Sequence, residues 1–198
     1  MIKNVVLVIL VSLLISCNTS SKKSDKKESK KSTTKEYAFI GKQYAMSTKK
    51  VLGKNLMTAI QKEGTIAALK FCNSNASSLT DSMSVLYNAN IKRVSDKPRN
   101  KKNNANTEEL KHIASFKLKV LNKQKTTPIV KDDGDKVTFY APIITNGMCL
   151  QCHGTLEKEL QPTVFSEIKK LYPEDKAVGY AANEVRGLWS ITFIKKHK

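Results

Sequence analysis

The sequence predicts an α+β fold, with long helices in the N-terminal part and a small antiparallel sheet in the C-terminal part. Two observations carry this prediction. Between residues 37 and 125, apolar residues recur at steps of three and four, which is the period of amphipathic helices. After Lys125 the apolar runs are β-branched and aromatic and flank an Asp-Gly turn, which is typical of a hairpin. The chain has 198 residues, of which 40% are hydrophobic, which suffices for one domain with a core.

Two helices are expected first, separated by Gly64. One covers residues 37–62, and the other begins at Thr65 and carries Cys72 on its apolar stripe. The stripe of the first helix is Ile40, Tyr44, Val51, Leu52, Leu56, Ala59 and Ile60, and that of the second is Ile66, Leu69, Cys72, Ala76 and Leu79. A polar loop over residues 96–106 follows.

A third helix begins with a capping box, in which Glu109 lies three residues after Asn106. Its apolar positions are Leu110, Ile113, Ala114, Leu118 and Leu121. Residues 127–130 and 136–144 form the hairpin around Gly134, residues 162–171 a further helix, and residues 188–194 another strand.

Residues 1–17 are typical of a bacterial lipoprotein signal peptide, because an apolar run after Lys3 ends in Leu14-Ile-Ser-Cys17. Acyl chains on Cys17 would anchor the protein to a membrane without spanning it. Asn18 favours the outer membrane, facing the periplasm. A short membrane anchor with an incidental cysteine is the alternative. Residues 18–36 contain no apolar side chain, so a disordered tether is expected before a domain over residues 37–198.

The net charge of +18 invites a nucleic-acid interpretation. An exported protein has no obvious use for DNA binding, so we expect no nucleic-acid partner. Residues 92–125 hold a charge of +8, from eleven Lys and Arg against three Asp and Glu. This patch would attract an acidic redox partner or anionic lipid.

The motif with the most chemical content is Cys149-Leu-Gln-Cys152-His153, the attachment signature of c-type haem. Its two thiols form thioethers with one haem, and the adjacent histidine is an axial ligand of the iron. Three alternatives stay open: a thioredoxin-like redox dithiol, a Cys149–Cys152 disulfide, and a structural zinc site in which Cys72 completes a Cys₃His set.

Four cysteines are present, and lipid and haem account for three of them. The fourth, Cys72, is either a buried core residue or a distal haem ligand. From the residues alone, several other side chains compete for the distal position: Met46, Met57, Met83, Met148 and His112.

Several short blocks occur in an order that resembles a family of exported single-haem proteins first known from cyanobacteria. They are residues 64–72 (GTIAALKFC), 92–95 (KRVS), 97–100 (KPRN), 140–143 (YAPI), 149–154 (CLQCHG), 172–180 (YPEDKAVGY) and 186–187 (RG). The resemblance covers residues 37–194. It implies a PAS-like sheet packed by long N-terminal helices and one covalent haem, with His153 as the proximal ligand and Cys72 as the distal ligand. The sequence departs from the family pattern in its central loop, at Lys101 and over residues 105–109.

Three arginines are candidate partners of the haem propionates, because a guanidinium pairs with a carboxylate through two hydrogen bonds. They are Arg93, Arg99 and Arg186. The alternative is that they brace the fold. Phe139, Tyr140 and Trp189 are expected in the core, and His112 and His197 as unligated residues.

The predicted function is that of a membrane-tethered haem protein in redox or small-ligand sensing or electron transfer. A thiol-redox or zinc lipoprotein is the alternative. No catalytic constellation is evident in the sequence, and we expect no enzyme activity.

Overall fold

The structure, a computed structural model, describes the backbone of residues 21–195 and the side chains of residues 33–195. The predicted signal peptide, Cys17 and His197 lie outside the described residues. The chain divides into a unit that ends at Thr33 and a unit that begins at Thr34. Apart from the start of the first helix, the features below belong to the second unit. In the described part of the chain, no helix has the length and apolar character needed to cross a membrane.

A long helix, α1 (Ser21–Tyr87), forms the N-terminal part. It is interrupted at Gly64, whose φ of 84° and ψ of 179° are not helical and are accessible essentially only to glycine. The predicted break is therefore confirmed. The helix begins inside the segment expected to be a disordered tether. Lys and Glu, which are abundant there, are good helix formers, so a helical backbone needs no buried apolar surface. The boundary between tether and domain stays a prediction.

The sheet contains four antiparallel strands in the order β1-β4-β3-β2: β1 (Asn90–Val94), β2 (Ile129–Asp132), β3 (Lys136–Ile144) and β4 (Val185–Ile194). β2 and β3 are the predicted hairpin. β4 lies between β1 and β3 and begins three residues earlier than the sequence indicates. The α+β class is confirmed, and β1 is a strand that the sequence did not predict.

Three shorter helices complete the fold: α2 (Thr107–Leu121), α3 (Gly147–His153) and α4 (Pro162–Leu171). The capping box of α2 forms as predicted, with the Asn106 side chain accepting from the Glu109 amide and the Glu109 side chain accepting from the Asn106 amide. The apolar face of α2 was predicted correctly at Ile113 and wrongly at its three leucines. Ile113 and Phe116 are buried, whereas Leu110, Leu118 and Leu121 are exposed.

The core consists of three clusters. The first cluster lies between α1 and the sheet and includes Met83, Phe139 and Trp189. The second cluster lies between α2 and strands β3 and β4 and includes Tyr140. The predicted burial of these three aromatic residues is confirmed. The third cluster lies near α3 and comprises Leu69, Leu160, Val164 and Ile168, with Cys152 and Tyr172 among the side chains packed against it. Each large apolar side chain buried here contributes about 1.5–3 kcal/mol.

Candidate functional site

The CxxCH motif forms the short helix α3, which Asn146 caps. The Asn146 Oδ1 accepts hydrogen bonds from the Cys149 amide and from the Cys149 Sγ, both at 3.2 Å. Cys72, Cys149 and Cys152 are all free thiols in the structure, so the alternative of a Cys149–Cys152 disulfide is not formed there. One turn of helix thus presents two unpaired thiols next to His153.

The part of α1 that follows Gly64 lies beside α3. Thr65 Oγ1 donates to Gln151 Oε1 at 3.2 Å, and Leu69 belongs to the apolar cluster on which Cys152 packs. Cys72 lies three residues after Leu69 and therefore faces the same side of the helix. The Cys72 and Cys152 thiols are close enough to interact electrostatically. The structure brings the predicted distal residue to the motif.

Burial dominates the acidity of both thiols. It raises the pKa of Cys152 to about 11, which the nearby Arg99 guanidinium opposes. It also raises the pKa of Cys72, against the opposing effect of the Arg93 and Arg99 guanidinium groups. Without a ligand, both are protonated at neutral pH.

The His153 ring is fixed by one short hydrogen bond. Its Nδ1 lies 2.6 Å from the Ala177 carbonyl oxygen, and since a carbonyl only accepts, the proton is on Nδ1. The Nε2 makes no hydrogen bond with any residue in the described range. Burial, followed by the positive charges of Arg99 and Arg186, holds the pKa of His153 well below its usual value. The imidazole is therefore neutral, with a free lone pair on Nε2, which is the form that binds a metal.

Arg99 braces the backbone on both sides of this histidine. Its Nε donates to Asp175 Oδ1 at 3.1 Å, and its Nη2 donates to the carbonyls of Cys152 at 2.6 Å and Ala177 at 3.2 Å. The side chain of Asp175 is fully buried and that of Arg99 is 11% exposed. This geometry favours the bracing role over the predicted contact with a haem propionate, which stays a prediction.

Arg186, from β4, contacts the imidazole itself. Its Nη1 donates to Ser95 Oγ at 2.8 Å, its Nε lies 3.3 Å from His153 Nδ1, and its Cζ lies 5.5 Å from the ring centre of Tyr180. Tyr180 in turn meets the His153 ring edge-on, with 6.4 Å between ring centres. Arg186 forms no ion pair with any carboxylate of the described chain.

Arg93, from β1, lies on the Cys72 side of the site. Its Nη2 donates to the Ala76 carbonyl at 3.2 Å, and its buried Nε has no hydrogen-bond partner. An unpaired N–H on a buried guanidinium is costly, so a group that accepts from it would be stabilised there. Of the three arginines, Arg93 is the one with a free buried donor for a propionate.

Of the competing distal residues, Met148 belongs to α3 itself, and the others have surroundings of their own. Met83 belongs to the first core cluster, and the His112 ring packs on Tyr140 with 4.4 Å between ring centres. Met46 and Met148 are exposed, and Met57 is half-buried.

Four residues around His153 have roles that the sequence did not reveal. They are Ser95, Asp175, Ala177 and Tyr180. Each falls within a block that carries the family resemblance, which was the only signal available for them.

No group of three or more His, Cys, Asp or Glu side chains is arranged to hold a metal ion within the described range. The Cys₃His zinc set, the alternative to haem, is therefore not assembled among the described residues.

The sequence model of the Tll0287-like family matches residues 17–193. The chain belongs to the Tll0287-like family. Among solved structures, the crystal structure of the cyanobacterial heme-protein Tll0287 is similar with a TM-score of 0.59 and 17% identity, over 79% of this chain and 93% of that chain. This likeness shows that the Tll0287-like chain shares the fold. No curated protein matches it in sequence.

Proposed function

We propose that the protein binds one haem c, through thioethers to Cys149 and Cys152 and an axial bond from His153. The observation that carries this proposal is the neutral imidazole at the end of α3, with Nδ1 held by Ala177 and Nε2 free beside two free thiols. The similar solved structure is that of a heme-protein, which supports the proposal.

The residues present fit this group. α3 is a single short helix, so both thiols and the histidine belong to one rigid unit, and the orphaned Nε of Arg93 is a donor that lacks an acceptor. The bound haem supplies one-electron chemistry at its iron. The chain orients the imidazole through Ala177, while burial keeps it neutral and available as a ligand.

Cys72 is the proposed distal ligand. Its position near Cys152 and the guanidinium charges of Arg93 and Arg99 support this role, because cations favour the thiolate form. A bond to the haem iron would outweigh the effect of burial, which keeps the free Cys72 thiol protonated. Two strong ligands would occupy both axial positions, which suits electron transfer or redox sensing more than catalysis.

The cellular setting is part of the same proposal. A lipid on Cys17 would hold the haem domain at the bacterial outer membrane, facing the periplasm, where it serves electron transfer or redox or small-ligand sensing with a separate protein partner. We propose no enzymatic activity.

The test is expression of the full chain with a c-type cytochrome maturation system, followed by a pyridine haemochrome spectrum. The expected result is one covalent haem per chain, lost in the double variant Cys149→Ser, Cys152→Ser. Zinc at one per chain without a Soret band would establish the zinc alternative. Intact mass without reductant, lower by two hydrogens and lacking haem, would establish the disulfide.

A further inference from the structure

Among the described residues, Arg186 is the guanidinium in direct contact with the proposed axial imidazole, and no carboxylate forms an ion pair with it. We infer that Arg186 is a positioning residue for His153 whose charge, held beside the imidazole, raises the reduction potential of the proposed haem site. This inference rests on the proposed haem function and assigns Arg186 a role other than pairing with a propionate.

His153 Nδ1 has two close neighbours. The Ala177 carbonyl oxygen is 2.6 Å away and Arg186 Nε is 3.3 Å away. One proton lies on Nδ1, and it is donated to Ala177, so Nδ1 has no lone pair left for Arg186. The contact between Arg186 and His153 is therefore one of charge with an N–H group, not a hydrogen bond.

Ser95 and Tyr180 hold the Arg186 guanidinium in this position. Ser95 Oγ accepts from Arg186 Nη1 at 2.8 Å and donates to the Arg186 carbonyl at 2.7 Å, so one hydroxyl holds both the side chain and the backbone. The Tyr180 ring covers the guanidinium at 5.5 Å. Arg186 is thus held against the imidazole by its own contacts.

Arg99, the other cation near this ring, differs from Arg186 in its ion pairing. Arg99 is paired with the buried carboxylate of Asp175, so its charge is largely compensated. Arg99 also donates to Ala177 O, the carbonyl that accepts from His153. This second donation weakens the Ala177 carbonyl as an acceptor from His153. It therefore also raises the reduction potential, as the charge of Arg186 does.

The consequence follows from the charge change on reduction. An axial histidine whose Nδ1–H points at a carboxylate becomes imidazolate-like, donates more electron density and stabilises ferric iron. A guanidinium at the same edge accepts no proton from Nδ1, and reduction, which adds one electron to the site, is favoured by a nearby positive charge. Arg186 therefore offsets part of the decrease in reduction potential that a thiolate ligand causes.

The experiment measures the reduction potential of purified holoprotein by spectroscopic redox titration. Arg186→Gln and Arg186→Met are expected to shift the potential downward, with Arg186→Lys shifting it less because the charge is kept. The methionine variant retains the packing on Tyr180, so it tests the charge should the glutamine variant fail to fold. Lys97→Gln is the matched control: it removes an exposed cation 5.8 Å from the Tyr180 ring and should leave the potential unchanged.

An unchanged potential in a haem-loaded Arg186→Gln or Arg186→Met variant would overturn the inference, as would a shift of equal size in Lys97→Gln. Absence of covalent haem from the wild-type chain, shown by the haemochrome spectrum, would instead overturn the proposed function. The two failures are therefore distinguishable.

Discussion

At the scale of single residues, the chemistry of the motif could be predicted and the surroundings could not. Cys149, Cys152 and His153 are adjacent in the sequence, so their spacing alone indicated their shared role. The contacts of Arg99 with Asp175 and of Arg186 with Ser95 join positions 76 and 91 residues apart. No local pattern encodes such a pair, so the sequence did not indicate these contacts.

The distal ligand is the first residue to test. Cys72→Ala should change the ferric absorption and EPR spectra and raise the reduction potential, because an anionic ligand that stabilises ferric iron is lost. Met148→Ala is the matched control and should leave both spectra unchanged, since Met148 is 37% exposed. Identical spectra for Cys72→Ala and the wild type would exclude Cys72 as the ligand.

The Arg99–Asp175 pair is expected to be a major contributor to stability. Asp175→Asn leaves a buried guanidinium without its counter-charge and should lower the free energy of unfolding by about 3–5 kcal/mol. The neighbouring Glu174 pairs with Lys101 at 3.1 Å, with both side chains about 70% exposed. Glu174→Gln should therefore cost only about 0–1 kcal/mol. Urea unfolding of the two variants measures the contrast, and equal losses would contradict it.

At the scale of elements, the sequence predicted those with a strong local signal. The hairpin has its Asp-Gly turn, α2 its capping box, and α4 its proline at the start and Tyr-Pro at the end. β1 was missed because it has five residues, of which Lys92 and Arg93 are charged, and it is held by pairing with β4 rather than by its own pattern.

Three leucines of α2 were predicted on its buried face because this helix carries two apolar stripes. Ile113 and Phe116 pack on the sheet, while Leu110, Leu118 and Leu121 form a second stripe in solvent. Periodicity alone does not distinguish a buried stripe from an exposed one, and only the position of the sheet does so.

The break in α1 gives a prediction for an element. Gly64→Ala should lower the free energy of unfolding by about 1–3 kcal/mol, since alanine disfavours a φ of 84° even though the space around it is open. Gly53, in the regular part of α1, also has open space, and Gly53→Ala should raise stability by about 0.5–1 kcal/mol. Thermal unfolding by circular dichroism measures both, and shifts of the same sign would contradict this account.

At the scale of the whole molecule, the charge excess remains mostly at the surface. Within the predicted basic patch, Arg99 forms a buried ion pair with Asp175, and Lys117 forms an ion pair with Asp96. Lys92, Lys97 and Lys111 are exposed. The sequence predicted the amount of charge in this region, but which cations face solvent depended on the fold.

The strand order has a consequence for how the protein is made. β4 occupies the middle of the sheet, yet it follows His153 by 32 residues in the chain. Synthesis runs from the N-terminus, so the motif emerges while the central place of the sheet is still empty, and pairing over such separations is slow. Until β4 pairs, the motif lies in an open chain, and the haem attachment proposed above could take place without a closed site around it. Pairing of β4 brings Arg186 to the imidazole and closes the site.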